Sequence, residues 1–178
     1  MIRNNILELL RVYRSDDPLE NSMLQDTIQF IEEHPDCFER SLLVGHVTGS
    51  AWILNRECTH ALMMHHKKLD KWFQPGGHCD GDPDVMAVAA KEAWEETGVT
   101  VEPVSTAVFD VDHHMIPENK GVPRHTHYDI RFLFRANKTA DELPSNPEAK
   151  AVRWIPLEEV ENYNSTPSIM RLVKKSLG

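Results

Sequence analysis

The chain has 178 residues, with 28 acidic against 19 basic side chains, a formal net charge of −9 and a mean hydropathy of −0.45. That length holds one domain with a core of its own, or one domain with an extension, and leaves no room for a second full domain. The acidic balance argues against general binding to nucleic acid or to an anionic membrane, since either needs a basic surface; a polyphosphate ligand would have to arrive with a cation.

Cys37, Cys58 and Cys79 are odd in number, widely spaced and form no zinc-type pair, so they read as reduced thiols, which fits a cytoplasmic location. The first residues, Met-Ile-Arg-Asn-Asn-Ile-Leu-Glu-Leu-Leu, lack the apolar stretch and cleavage site of a signal peptide, and no run reaches the length of a membrane span. A soluble protein is expected.

Ile2, Ile6, Leu9, Leu10 and Tyr13 follow the helical period, and Ser15-Asp16-Asp17-Pro18 interrupts it. Met23, Leu24, Thr27, Ile28 and Ile31 make a second amphipathic helix that should stop at His34, because a residue before proline is pushed away from helical angles. Residues 1–39 thus read as a helical extension packed on a main domain over 40–178. From Leu42 to Leu54 and again from Thr59 to His65 the chain is rich in β-branched and apolar residues, predicting a strand pair with its turn at Asn55-Arg56-Glu57. Lys67 to Asp70 reads as a turn, and Trp72-Phe73-Gln74-Pro75 leads to the glycines at 76 and 77.

Those glycines open a loop that should feed one helix over about Pro83 to Thr97. Asp82 suits its N-cap, Pro83 its first position and Gly98 the left-handed residue that ends it. On this helix Val85, Val88 and Ala89 share a side with Glu92, Glu95 and Glu96, while Met86, Ala90 and Ala93 form a second apolar stripe. The three glutamates, spaced i, i+3, i+4 near a helix C-terminus, repel one another and oppose the helix dipole. A solvated face would be the bland reading of such a cluster. With most of the helix surface committed to packing, the carboxylates instead call for a cation, and hard oxygen donors suit Mg²⁺ or Mn²⁺.

Beyond the helix, Thr100 to Val111 reads as strand and His113 to His125 as a loop suited to face a substrate. Tyr128 to Ala136 alternates as a strand, with Tyr128, Ile130, Phe132 and Phe134 on one face and Asp129, Arg131 and Arg135 on the other. A polar loop over Lys138 to Lys150, a short strand over Ala151 to Ile155, a helical turn over Leu157 to Tyr163 and a last helix over Ser168 to Leu177 complete an α/β pattern with a mixed sheet between helices.

The stretch from Gly77 to Val99 resembles the box of the Nudix (MutT-like) hydrolase family. Gly77, Glu92, Ala93, Glu95, Glu96, Gly98 and Val99 fall in register with it, while Pro83 stands where the family usually has Glu and Lys91 where it usually has Arg. The segment Gly-Gly-His-x-Asp-Gly-Asp resembles one subgroup of that family. The resemblance implies a Nudix-type α/β/α sandwich and metal-dependent cleavage of a diphosphate linkage in a nucleoside diphosphate joined to another moiety. The substrate would be a small molecule, with neither nucleic acid nor membrane as partner, and dimers are common among relatives.

The resemblance also assigns roles. Glu92, Glu95 and Glu96 match the metal-binding glutamates, and the Gly76 carbonyl matches a backbone oxygen that often joins them. Glu148 resembles a further glutamate that serves some members as ligand or base, although an ordinary loop acid is equally natural there. Lys91 keeps a positive charge beside the glutamates but lacks the guanidinium fork. Asp80 or Asp84 is a candidate to replace the carboxylate missing at Pro83.

Ten histidines are many for this length, yet each singly is more often a surface or satisfied core residue than a ligand. His78, directly after the glycines, is the exception, and with His127 and Asp129 it is a candidate to touch metal or phosphate. Two other readings remain open. One is an isopentenyl-diphosphate isomerase-like enzyme using Cys79, whose surroundings lack that enzyme's pattern; the other is a non-catalytic nucleotide-binding module in which Pro83 and Lys91 mark lost chemistry.

Overall fold

Asp17 accepts a hydrogen bond from the Leu19 amide, and Pro18 occupies the first helical position, so the second helix of the chain starts two residues after Asp16 and runs Pro18–Glu33 (α2). It follows α1, Ile2–Val12. The computed structural model describes residues 2–143, 147 and 149–178. Chain contacts divide the protein into two compact units: Met1–Ser50 with Gly76–Ala89 and Thr106–Phe132, and Ala51–Pro75 with Ala90–Ser105 and Leu133–Gly178.

In the first unit, Ile6, Leu7 and Leu10 of α1 and Met23, Leu24, Phe30 and Ile31 of α2 are buried, as their spacing requires. Glu20 on α2 is also fully buried. Its carboxylate accepts from the hydroxyls of Tyr13 (2.7 Å) and Ser15 and from the Val111 amide (3.0 Å), which fixes α2 to the strand β6, Asp110–Ile116.

Strand β6 pairs antiparallel with β7, His125–Ala136, from Asp110↔Arg131 to Ile116↔His125. The expected strand over Thr100–Val111 is therefore displaced, and the expected loop over His113–His125 shrinks to residues 117–124. The ladder with β7 satisfies the backbone of this histidine-rich segment, which composition alone reads as loop. The polar face of β7 is not solvated: Asp129 and Arg131 are as buried as Ile130 and Phe132.

Strand β1, Gly45–Asn55, is buried along its whole length. The Thr126 amide donates to the Val44 carbonyl, and farther along Thr48 and Ser50 donate to Asp129, so β1 and β7 advance in the same direction. The short strand β4, Gly76–His78, pairs antiparallel with β1 at Ser50, Gly49 and Thr48. The sheet is mixed.

The long helix α3 spans Val85–Thr97, two residues shorter at its start than the sequence suggests. Asp82 and Asp84 are both good caps, and they share the work: Asp82 accepts from the Asp84 amide in a turn, and Asp84 accepts from the Ala87 amide as the true cap. Against β1 the helix comes so close that a Cβ on Gly49 would lie 2.7 Å from the Val85 carbonyl oxygen. Gly98, at φ +72°, ends the helix and donates to the Trp94 carbonyl.

In the second unit, β1 turns into β2, His60–His66, through Asn55, whose side-chain oxygen accepts from the amides of both Thr59 and His60 at 2.8 Å. Strand β3, Lys71–Phe73, pairs with β2 on one side and β9, Ala149–Pro156, pairs with it on the other. Two short strands lie within expected loop or merge with expected strand: β5, Glu102–Pro103, pairs with β7, and β8, Glu142–Leu143, with β9. A 3₁₀ turn, Leu157–Glu159, leads into α4, Val160–Tyr163, and α5, Pro167–Ser176, closes the unit, its Ser176 hydroxyl accepting from the indole N–H of buried Trp52 at 2.8 Å. The strands hydrogen-bond in the order β5-β7-β1-β2-β9-β8, with β4 beside β1, β6 beside β7 and β3 beside β2. No helix among the described residues is long and apolar enough to cross a membrane.

Candidate active site

The last two turns of α3 carry the expected acidic set. Glu96 is buried at 6% exposure, the Glu92 side chain is 16% exposed and that of Glu95 is 43% exposed. Lys91 stands beside them, its Nζ 3.4 Å from Glu95 Oε1 and 4.0 Å from Glu92 Oε1. Trp94, on the opposite side of the helix, is exposed, so the more protected side carries Glu92 and Glu96, the i, i+4 pair. Carboxylates spaced i, i+3, i+4 along one helix offer hard oxygen donors, whose chemistry suits Mg²⁺ or Mn²⁺. Glu148 lies outside the described residues.

The glycines expected as a loop form β4. A side chain on Gly76 would overlap the Ser50 hydroxyl and crowd the Gly49 carbonyl, so the Gly76–Ser50 pairing requires the absence of a Cβ. Immediately after it, Asp80 adopts φ +50° and takes both oxygens to Arg40, at 2.5 Å from Nε and from Nη2. Asp80 is thus engaged by a cation of the first unit.

His78 and His127 do come together, ring centroids 5.1 Å apart, and they bring company that the sequence did not announce. His46 lies 4.7 Å from His127, 5.0 Å from His125 and 5.0 Å from His78, and His114 lies 5.6 Å from His127, all as ring centroids. Burial, reinforced by the neighbouring imidazoles, pushes His127 down to about 2 and His46 down to about 4, and it lowers His78 as well. His46 and His127 are therefore neutral at pH 7.

Asp129 faces inward to a different partner set. One oxygen accepts from Thr48 (3.0 Å) and Ser50 (2.8 Å), and the other accepts from Arg131 Nε at 2.8 Å. Arg131 also reaches Asp110 at 3.1 Å and Asp112 at 2.9 Å. Burial opposes the guanidinium charge, but the three carboxylates outweigh it and hold its pKa above the usual arginine value. This network ties β6 to β7 and fixes the orientation of the Asp129 carboxylate.

Along α2 and β6 opens a cleft of about 510 Å³, lined by Asp26, Glu33, His34, His113, His114 and Tyr128 among others. Phe30 stacks on Tyr128 at 4.0 Å within it. Part of the segment expected to face a substrate therefore lines a cleft, as strand rather than loop.

His46 and His125 were missed by sequence reasoning. The spacing His125-x-His127 puts two rings on one strand face and was a readable signal. His46 joins them only through the parallel pairing of β1 with β7, which no local spacing reveals.

A mixed sheet with helices at both ends of the chain, and a capped helix that follows a Gly-Gly strand in the sequence and carries three spaced glutamates, define an α/β domain. A family model for the NUDIX domain matches residues 45–175, and the chain belongs to the Nudix family. Phosphatase NudJ of Escherichia coli (strain K12) is 29% identical over 91 residues, covering 50% of this chain and 54% of that protein, so the chain spans about half the length of the curated relatives it matches. Among solved structures, a NUDIX hydrolase from Nitrosomonas europaea superposes with a TM-score of 0.56 at 18% identity, covering 72% of this chain and 86% of its own. A C. elegans Ap4A hydrolase in a binary complex gives 0.54 at 19% identity, covering 72% and 93%. These likenesses establish the fold. Nudix hydrolases generally use divalent metal ions and act on small nucleotide or diphosphate substrates.

Proposed function

We propose that this protein is a divalent-metal-dependent pyrophosphohydrolase that cleaves a diphosphate linkage in a nucleoside diphosphate joined to a second moiety. Residues 40–178 would form its Nudix domain and 1–39 a helical extension. The observation that carries this reading is the retention of Glu92, Glu95 and Glu96 on the last turns of α3, with the Lys91 ammonium against two of them.

Bound Mg²⁺ or Mn²⁺ would neutralise charge on the phosphate oxygens and acidify the attacking water. Glu92, Glu95 and Glu96 supply the oxygen donors, and a glutamate takes the water's proton, with Glu92 and Glu148 ranking first for that task. Lys91 holds Glu95 in place and offsets the mutual repulsion of the carboxylates. The family pattern adds the Gly76 carbonyl to the donor set. Free thiols support a cytoplasmic setting, and a homodimer is proposed from the frequency of dimers among relatives.

Cys79 does not favour the isomerase reading. It is 3% exposed, and burial followed by the charges of Asp129, Asp82 and Asp80 raises its thiol far above the ordinary range, the opposite of an activated nucleophile. Retention of all three glutamates speaks against a purely binding module. The test is a screen of nucleotide sugars, dinucleoside polyphosphates, NAD, ADP-ribose, CoA and nucleoside triphosphates with Mg²⁺ or Mn²⁺. Cleavage at a diphosphate is expected for one class; no hydrolysis of any, with the folded protein and either metal, would overturn the proposal.

A further inference from the structure

We propose that His46, His125 and His127 form a binding site for a divalent transition-metal ion, with Zn²⁺ the best match, distinct in chemistry from the carboxylates of α3. Each of the three offers a ring nitrogen, and these atoms all lie within 4.8 Å of one another. His125 Nε2 and His127 Nε2 are 3.2 Å apart. Two imidazole nitrogens bound tetrahedrally to zinc stand about 3.3 Å from each other, from metal–nitrogen distances of roughly 2.0–2.1 Å. The His125–His127 pair is already at ligand spacing, and a His46 ring nitrogen lies within 4.8 Å of both.

The tautomer is set in the same direction. His125 Nδ1 is 2.8 Å from the Pro123 carbonyl, which can only accept, so Nδ1 carries the hydrogen and the Nε2 lone pair points toward His127. An outer carbonyl that orients one nitrogen while the other ligates is the usual support of a metal-bound histidine.

His46 gives an independent indication. It is 3% exposed, and neither of its ring nitrogens makes a hydrogen bond of normal geometry, the Leu42 backbone carbonyl acting on the ring only from a poorer position. Buried polar atoms are normally satisfied, and one left open needs an explanation such as an ion. A plain hydrogen bond between His125 and His127 accounts for that pair but leaves His46 unexplained, whereas a shared cation uses all three rings. Imidazole donors favour Zn²⁺, Cu²⁺, Ni²⁺ or Fe²⁺ over Mg²⁺, which takes oxygen. Three protein ligands would leave one tetrahedral position to water or a ligand, and the His78 ring lies 5.0 Å from that of His46 and 5.1 Å from that of His127.

The test uses the full chain, stripped with chelator, saturated with Mg²⁺ and titrated with Zn²⁺ and separately with Co²⁺. One Zn²⁺ per chain should bind despite the Mg²⁺, Co²⁺ should show the ligand-field absorption of a nitrogen-ligated site, and zinc X-ray absorption should show imidazole scattering. His127→Asn and His46→Gln should each weaken Zn²⁺ binding by at least about 100-fold, beyond the range of an outer-shell change. Glu92→Gln with Glu96→Gln should leave Zn²⁺ binding intact, so the hydrolase proposal and this one fail separately. If His46→Gln does not fold, His127→Asn and the wild-type X-ray spectrum decide. Unchanged Zn²⁺ affinity in folded His127→Asn, an oxygen-only zinc shell, or loss of Zn²⁺ in the glutamate variants would each overturn the assignment.

Discussion

Lys91 Nζ lies 3.4 Å from Glu95 Oε1, one turn farther along α3, and 4.0 Å from Glu92 Oε1. An ammonium is a point charge without the planar fork of a guanidinium, so it holds these carboxylates near it without fixing the plane of either. Where lysine merely approximates arginine, Lys91→Arg should match or exceed wild-type activity, and Lys91→Ala should need about 10- to 100-fold more metal for the same rate. Activity measured against Mg²⁺ concentration checks the order. Lys91 is 64% exposed, so its stability effect should stay within about 0.5 kcal/mol. A folded but inactive Lys91→Arg protein would mean that the site is built around lysine.

Glu95→Gln and Glu96→Gln should each lower kcat by at least about 10²-fold, the scale of removing one electrostatic contributor to catalysis. Thermal unfolding should shift little, because each substitution removes like-charge repulsion at a helix C-terminus while Glu95→Gln also gives up the exposed ion pair with Lys91. A wild-type rate in both variants would reduce the cluster to a solvated helix face.

Arg131→Met tests the buried network of β6 and β7. It leaves Asp110, Asp112 and Asp129 without the guanidinium that now contacts all three, and urea denaturation should show a loss of about 3–5 kcal/mol, the usual cost of stranding buried charge. A loss below about 1 kcal/mol would show that the carboxylates are satisfied by other means.

Thiol chemistry follows burial. Cys37 is buried, and burial pushes its thiol up to about 11; Cys79 is buried and raised further, while Cys58 is only half-buried. Below those values both buried groups stay protonated and unreactive. Labelling of the native protein at pH 8 should therefore modify Cys58 and spare the other two until the chain unfolds, as mass spectrometry of the labelled peptides would record.

Local signals carried well into the fold where one residue decides the backbone. Pro35 ends α2 at the residue expected, and Gly98 ends α3 in the left-handed conformation its position implies. At the start of α3 two aspartates compete, and the cap belongs to Asp84 because Asp82 is used in the preceding turn. Histidines at 113 and 114 have no strand preference of their own, so β6 became visible only through its register with β7. The glutamates of α3 were legible because their spacing lies within one helix. Neither the His46–His125–His127 cluster nor the burial of Asp129 by Thr48, Ser50 and Arg131 could be read the same way, since both depend on which strand lies beside which.

A divalent metal held by the carboxylates of α3 is proposed to be needed to break the diphosphate bond. The most direct measurement is the rate of diphosphate cleavage on the substrate class identified, in excess EDTA and after re-addition of Mg²⁺ or Mn²⁺. Activity should vanish with the chelator and return with either ion, and should fail to return in the Glu96→Gln protein at the same metal concentration. Full activity in excess EDTA would mean that no carboxylate-held metal takes part in the cleavage.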